Sequence, residues 1–421
     1  MPEYPAIQEA RECAWSRLKP GAQDRDHGLE LHRQSLVFES YGFGPYARSD
    51  QQAAAQLAAI QAGASALEQQ DRMEDLMMTG YLYDPAQLAE CRAYWEASGV
   101  TCLVRNAGEE HQDSCVVLKR LARYVQVTDR LRGFLDKALT PADVVRAKRE
   151  GRHALCLTTN AVPLVRQGVS AEDELRALRT FFQLGVRMMH LTYNRRNLLG
   201  DGCAEAANGG LSDFGRAVIA EMNRLGLLVD VAHSGWQTSL EAARASARPI
   251  VASHTVCAAL NPHARAKPDE VIRAIVDGGG LVGICAIPAF LGGNGDITAL
   301  LDHVDYVKRT FGADAVAIGT DVSASLSLPE ADRAPARALA AARPKARPKF
   351  ENFWRPDEPM NRPEWNRPEQ HLSLSWLNFP CFTVGMVQRG YADDDIRKIL
   401  GGNMLRVLEA VLPEPEKRRL V

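Results

Sequence analysis

The sequence predicts a (β/α)8 TIM barrel, on three observations. Eight short runs rich in Val, Ile and Leu alternate with longer helix-type segments. Most of these runs are apolar on both faces, the pattern of parallel strands covered by helices. No GxGxxG follows the first run, so the closed barrel is favoured over the alternative, a doubly wound open sheet.

The eight candidate strands are SLVFES (35–40), TCLVRN (101–106), HALCLTT (153–159), GVRMMHLTY (185–193), LLVDVAH (227–233), PIVASH (249–254), LVGICAIP (281–288) and AVAIGTD (315–321). Between them, 170–185 reads as a helix with Ser170 as N-cap and acids in its first turn. The segment 211–226 has Ser212 near its start and Gly226 at its end, and 267–280 has Pro268 near its first turn and glycines at its stop. Two regions fall outside the repeat. Residues 49–99 read as two or three helices inserted after the first strand, and residues 322–379 as an irregular loop after the eighth. Residues 380–413 read as two or three C-terminal packing helices. The whole chain, 1–421, is read as a single domain.

Composition excludes several classes. The chain is 46% hydrophobic and 24% charged, which suits a globular protein with a large core. A net charge of -2 gives no sign of a nucleic-acid or anionic-membrane partner. The basic run from Arg333 to Lys349 is read as a solvated Ala/Pro/Arg loop. Nine scattered cysteines without a CxxC pair point to reduced thiols in a cytoplasmic protein. The N-terminus has no apolar core segment, so no signal peptide is expected, and no apolar run is long enough for a membrane span.

A parallel barrel delivers its C-terminal strand ends into one mouth, where active sites form. The chemically capable residues there are Glu39 and Tyr41 on the first strand, Arg105 and Asn106 on the second, and Asn160 after the third. Tyr193 and Asn194 follow the fourth, Asp230 and His233 lie at the fifth, His254 at the sixth and Asp321 at the eighth. His233 and His254, on neighbouring strand ends, are the best metal-ligand pair. Asp321 is placed to ligate a metal or to deprotonate an attacking water. Arg265, in the loop after the sixth strand, offers a guanidinium to a substrate carboxylate. His190, inside the fourth strand, is read as packing, and His263 and His303 as structural.

The stretches LTYNRRNLLGDGCAE, GGLSDFGRAVIAEMNRLGLLVDVAHSG, RPIVASHT with NPHAR, HVDYV with IGTD, and RGYADDDIRKILGGNMLRVL resemble the renal (membrane) dipeptidase family of zinc peptidases. The weaker phrase TPADVVRAKREGRHAL fits the same family. The resemblance spans roughly 140–320 and 380–410 with its order kept. It implies an amidohydrolase-type barrel, two zincs around a bridging hydroxide, a dipeptide substrate and a homodimer. It assigns His233 and His254 to one metal, Asp321 to completion of the site, and Arg265 to the substrate carboxylate.

The chain departs from the family where the other metal is held. The first-strand His-x-Asp pair falls on Tyr41 and Phe43 in LVFESYGFGP, with Glu39 as the one nearby carboxylate that could ligate. The bridging glutamate falls on Asn160, a neutral amide that cannot offset the repulsion of two dications. A histidine after the fourth strand is replaced by Tyr193. The expectation is a dipeptidase-like hydrolase with one zinc per chain rather than two, its substrate contacted by Arg265, Tyr193 and Asn160. The alternative is a divergent, non-peptidase member with altered small-molecule chemistry or a binding role.

Overall fold

The computed structural model describes residues 4–108, 113–342 and 358–412. Eight parallel strands follow one another around the sheet: β1 (Phe38–Gly42), β2 (Cys102–Asn106), β3 (His153–Thr159), β4 (Val186–His190), β5 (Leu228–Asp230), β6 (Ile250–Cys257), β7 (Leu281–Ile284) and β8 (Val316–Ile318). Every one of the eight predicted runs overlaps its strand; β1 and β6 continue past the predicted ends at 40 and 254. The ring closes between β8 and β1. Thr320 N donates to Glu39 Oε1 at 3.1 Å, Asp321 N to Tyr41 O at 3.2 Å and Phe43 N to Val322 O at 3.1 Å. Beyond these, Ser323–Ser325 pairs in parallel with Gly44–Tyr46.

All eight strands point a side chain into one interior cluster: Phe38, Val104, Cys156, Met188, Leu228, Val251, Leu281 and Ala317. Met404, Val407, Leu408 and Val411 of the C-terminal helix Asn403–Val411 join that cluster. Several of the strand residues open their strands, so this helix closes the N-terminal end of the barrel. The opposite end is left for chemistry. Interior space is tight beside β6. A Cβ at Gly283 or at Gly319 would come within 2.0 Å of the Ser253 carbonyl oxygen, so β7 and the residue that follows β8 are glycine where they pass it.

The outer helices obey their caps. Ser170 Oγ accepts from Asp173 N at the start of Ala171–Gln183, and Ser212 Oγ from Gly215 N at the start of Asp213–Leu225. Gly226 ends the latter helix at φ 82, a left-handed conformation that favours glycine. Pro268 precedes Asp269–Asp277, and Gly278 follows it.

The inserted region forms helices Ala53–Gln61, Ala66–Thr79 and Pro85–Ser98. Two N-terminal helices, Pro5–Leu18 and Ala22–Gln34, had no clear apolar face in the sequence because they bury only Ala10, Ala14, Gly28, Leu31 and His32.

The segment 322–379 corrects the reading of an irregular loop. Glu330–Ala342 is a helix, and Pro368–Ser373 is a shorter one. The Ala-rich run EADRAPARALAAA has enough helix propensity to absorb Pro335. Asp332 on this helix accepts from Gln52 N at 2.8 Å and Ala53 N at 3.1 Å, capping the inserted helix. Part of the basic run Arg333–Lys349 and the last residue of the predicted C-terminal segment lie outside the described residues. Among the described residues, no helix is long and apolar enough to cross a membrane.

Candidate metal centre and substrate cavity

His233 follows β5 and His254 lies within β6, and the barrel brings their rings to 4.9 Å between centroids. The two Nε2 atoms face each other at 3.0 Å. The proton positions follow from the other nitrogens. His233 Nδ1 is 2.9 Å from Asn194 Oδ1, an amide oxygen that also accepts from Cys203 Sγ. That oxygen can only accept, so His233 carries its proton on Nδ1 and its Nε2 is bare.

His254 Nδ1 is 2.8 Å from Ser253 Oγ, and that hydroxyl donates its one proton to Asp230 Oδ2. Ser253 Oγ therefore accepts from His254, whose Nε2 is bare as well. Burial, followed by the Arg265 charge, holds both imidazoles well below their ordinary pKa, so both are neutral. Two lone pairs 3.0 Å apart repel unless a cation lies between them. Each imidazole is held through Nδ1 by an outer acceptor, the usual way a metal-ligating histidine is oriented.

Tyrosines cover the outer faces of the pair. Tyr41 stacks on His254 at 3.9 Å and 16°, and Tyr193 on His233 at 4.0 Å and 24°. Tyr41 Oη donates to Asn160 Oδ1 at 2.7 Å. The first-strand position and the bridge position are thus bonded to one another as a neutral pair, and Phe43 packs edge-on against Tyr41 at 5.6 Å. His233 and His254 offer two nitrogens to one metal, and among the described residues no carboxylate or thiol ligand atom lies within 4.8 Å of both. The residues present do not fit a second metal at Tyr41, Phe43 and Asn160.

His190 is corrected from a packing residue to a polar one. It is fully buried, its Nδ1 donates to Thr159 O at 2.8 Å, and its Nε2 stands 2.8 Å from Asp230 Oδ2, though off the line of a hydrogen bond. His190, Asp230 and His254 bring ligand atoms within 4.8 Å of one another. Asp230 is already committed, since it also accepts from Ala232 N, Ser253 N and Ser253 Oγ. Burial pushes its carboxyl up, but His190 and Ser253 outweigh that and hold it below the usual range.

Glu39, expected as a possible ligand, is corrected too. One carboxylate oxygen accepts from Thr320 N and Thr320 Oγ1, and the other from Trp376 Nε1 at 2.7 Å. Both oxygens serve barrel closure, and burial pushes the carboxyl up to about 8 despite these donors. Arg265 is equally displaced from its expected role. It is fully buried, and its two Nη atoms donate to Ala232 O and His254 O, the latter at 2.9 Å. The guanidinium braces the backbone of both histidine segments instead of reaching outward for a carboxylate. His263 and His303 hold structural bonds, to Glu358 at 2.8 Å and to Leu291 O at 2.9 Å.

His233 lines a cavity of about 370 Å³, and His254 lies behind it, stacked under Tyr41. The polar end of the cavity presents His233, Asp321, Asn160, Asn106 and Tyr193. Asp321 follows β8 in a left-handed conformation, φ 60, and burial pushes its carboxyl up to about 6 against the pull of Arg265 and His190. The cavity thus gathers His233, Asp321, Tyr193 and Asn160 from the expected set. Sequence reasoning missed Asn194 and Ser253 as the acceptors that orient the histidines, and it missed Met73, Met77 and Met78 on the cavity wall. Asn194 did stand at a strand end, but the methionines lie in an inserted helix whose position no local pattern could reveal.

A parallel eight-stranded barrel with histidines and a carboxylate at its C-terminal mouth defines the class of amidohydrolase-type barrels. Residues 85–337, more than half of the chain, match the membrane dipeptidase family, peptidase family M19, and the chain belongs to that family of metallopeptidases. Dipeptidase tcpJ of Claviceps purpurea (strain 20.1) is 28% identical over 275 residues, 64% of this chain and 53% of that protein. The chain thus spans about half the length of that curated relative. Among solved structures, an amidohydrolase from Pseudomonas aeruginosa superposes with TM-score 0.67 at 24% identity, covering 92% of this chain and 99% of that one. The probable dipeptidase PvdM from Pseudomonas aeruginosa gives 0.62 at 18%, covering 92% and 98%. A metallopeptidase from Rhodobacter sphaeroides, liganded with a phosphinate mimic of the dipeptide L-Ala-D-Ala, gives 0.60 at 18%, covering 79% and 96%. These likenesses show the fold.

Proposed function

We propose that this protein is a dipeptidase-like hydrolase that works with a single zinc, held by His233 and His254, with Asp321, on the same cavity as His233, moving in to complete the site. The observation that carries the reading is the pair of bare Nε2 atoms facing each other at 3.0 Å, each ring anchored through Nδ1. A zinc at that pair supplies Lewis acidity toward an amide carbonyl and toward water.

The chain's own residues supply the remainder. Asp321 presents a carboxylate to the cavity and takes the proton of an attacking water. The Tyr193 phenol, fixed by its stack on His233, and the Asn160 amide orient a small amide substrate. Asn160 Oδ1 is occupied by Tyr41, so its Nδ2 is the group it offers to a carbonyl. The Rhodobacter sphaeroides relative binds a dipeptide mimic in the same fold, which supports a dipeptide-sized substrate.

Metal analysis of purified protein tests the reading. About one zinc per chain is expected, the open-site stoichiometry of a mononuclear hydrolase. His233→Ala should abolish it, and Asp321→Asn should lower turnover of a dipeptide panel by roughly 10²–10⁴-fold. Two metals per chain, or none, would sink the single-metal scheme. A second reading, a family member whose chemistry is no longer peptide hydrolysis, is favoured by the Tyr41–Asn160 bond that fills the second metal's place. Bound zinc without turnover of any dipeptide, D-residue substrates included, would decide for it.

A further inference from the structure

The inserted helix Ala66–Thr79 forms a wall of the same cavity. Met73 and Met77, one helical turn apart, and Met78 line it opposite Tyr41, Phe43 and Tyr46. Met73 and Met77 are half-buried and Met78 is buried, so thioethers form much of this apolar side. Methionine is unbranched and polarizable, and it suits surfaces that mould to an apolar or aromatic group.

The wall is fixed rather than loose. Glu74 on this helix pairs with Arg120 at 2.8 Å and Arg123 at 3.0 Å on helix Ser114–Arg130, and Asp71 pairs with Lys119 at 2.5 Å. Arg120 also donates to Gly108 O. Arg120, the cationic side chain on the cavity wall, is thereby matched by an acid, and Arg265 is spent on backbone carbonyls. Among the described residues that line the cavity, Arg120 is the one cation, and it is paired with Glu74, so the apolar wall is left to contact an uncharged side chain.

We infer that Met73, Met77 and Met78 form a side-chain subsite, and that the substrate carries a bulky apolar or aromatic group against it. This deepens the dipeptidase-like reading and rests on it for the polar end of the substrate. Each methylene moved from water onto such a wall favours binding, and one or two of them change selectivity by roughly 10–200-fold.

The experiment compares Gly-Phe with Gly-Ala on the full-length protein. Equilibrium binding is read by calorimetry after chelation, where no turnover occurs, and kcat/KM is read separately with added zinc. Gly-Phe is expected to bind at least about tenfold tighter than Gly-Ala. Met73→Ala/Met77→Ala should bring that ratio down toward unity with Gly-Ala little changed. Met73→Gln/Met77→Gln, which keeps side-chain length, should do the same if the alanine variant is poorly folded. Equal affinities, a ratio that survives both variants, or binding of neither dipeptide would overturn the inference. Selective binding without hydrolysis would instead count against the hydrolase reading and leave the subsite standing.

Discussion

His233 Nε2 and His254 Nε2 stand 3.0 Å apart, each on a ring whose Nδ1 is tied to an outer acceptor. The two rings come from neighbouring strand segments, 21 residues apart in sequence.

The pair predicts cooperative loss of metal. His233→Ala and His254→Ala should each reduce bound zinc to background, because one neutral imidazole and a carboxylate form a poor zinc site. Elemental analysis of dialysed protein checks this. Retention of a full equivalent in either variant would show that the metal binds elsewhere.

Asn194 should matter without touching the metal. Asn194→Leu removes the acceptor at His233 Nδ1 and frees the ring to rotate or change tautomer. Zinc affinity should fall by roughly 10–100-fold, the usual cost of losing such a partner. Competition with a chromophoric chelator measures it, and an unchanged affinity would remove Asn194 from the design.

The first-strand position invites a gain of metal. Tyr41→His, Phe43→Asp and Asn160→Glu together replace the neutral Tyr41–Asn160 bond by two anions and an imidazole. Metal content should rise from about one to about two per chain, since paired carboxylates offset the repulsion of two dications. A folded triple variant that still holds one would mean these positions do not face the metal.

Barrel closure carries a pH signature. Burial pushes Glu39 up to about 8 from its ordinary value of 4.5. Below 4.5 both folded and unfolded chains keep the proton, and this contribution to stability is full. Between 4.5 and about 8 the unfolded chain releases a proton that the folded chain retains, so stability declines as pH rises through that window. Glu39→Gln has no proton to lose, and its thermal midpoint should decline less than wild type between pH 5 and 8. Parallel curves for the two proteins would mean Glu39 is ionised in the fold.

Much of the architecture was readable because it is local. Val-, Ile- and Leu-rich runs mark strands buried on both faces, and Ser170, Ser212 and Gly226 mark helix ends by bonds that span only a few residues. That His233, His254 and Asp321 stand at one end of the barrel was readable because a parallel barrel sends every strand end to one mouth. The misreadings have a common cause. Glu39 is a carboxylate at a strand end, yet Thr320 and Trp376, far along the chain, claim both its oxygens. Arg265 lies in a loop by sequence, yet its guanidinium turns inward to two carbonyls.

By itself the sequence determined the strand order, the ends of the helices after the third, fourth and sixth strands, and which residue types stand at the mouth, since each depends on short-range periodicity and chain order. Only the tertiary structure decided where those side chains spend their hydrogen bonds. That depends on partners 95 or more residues away, as in Tyr41 with Asn160, Glu39 with Trp376 and Glu358 with the His263 beside Arg265. A buried polar group takes whichever distant donor or acceptor the fold brings to it, because leaving it unpaired would cost about 1–3 kcal/mol.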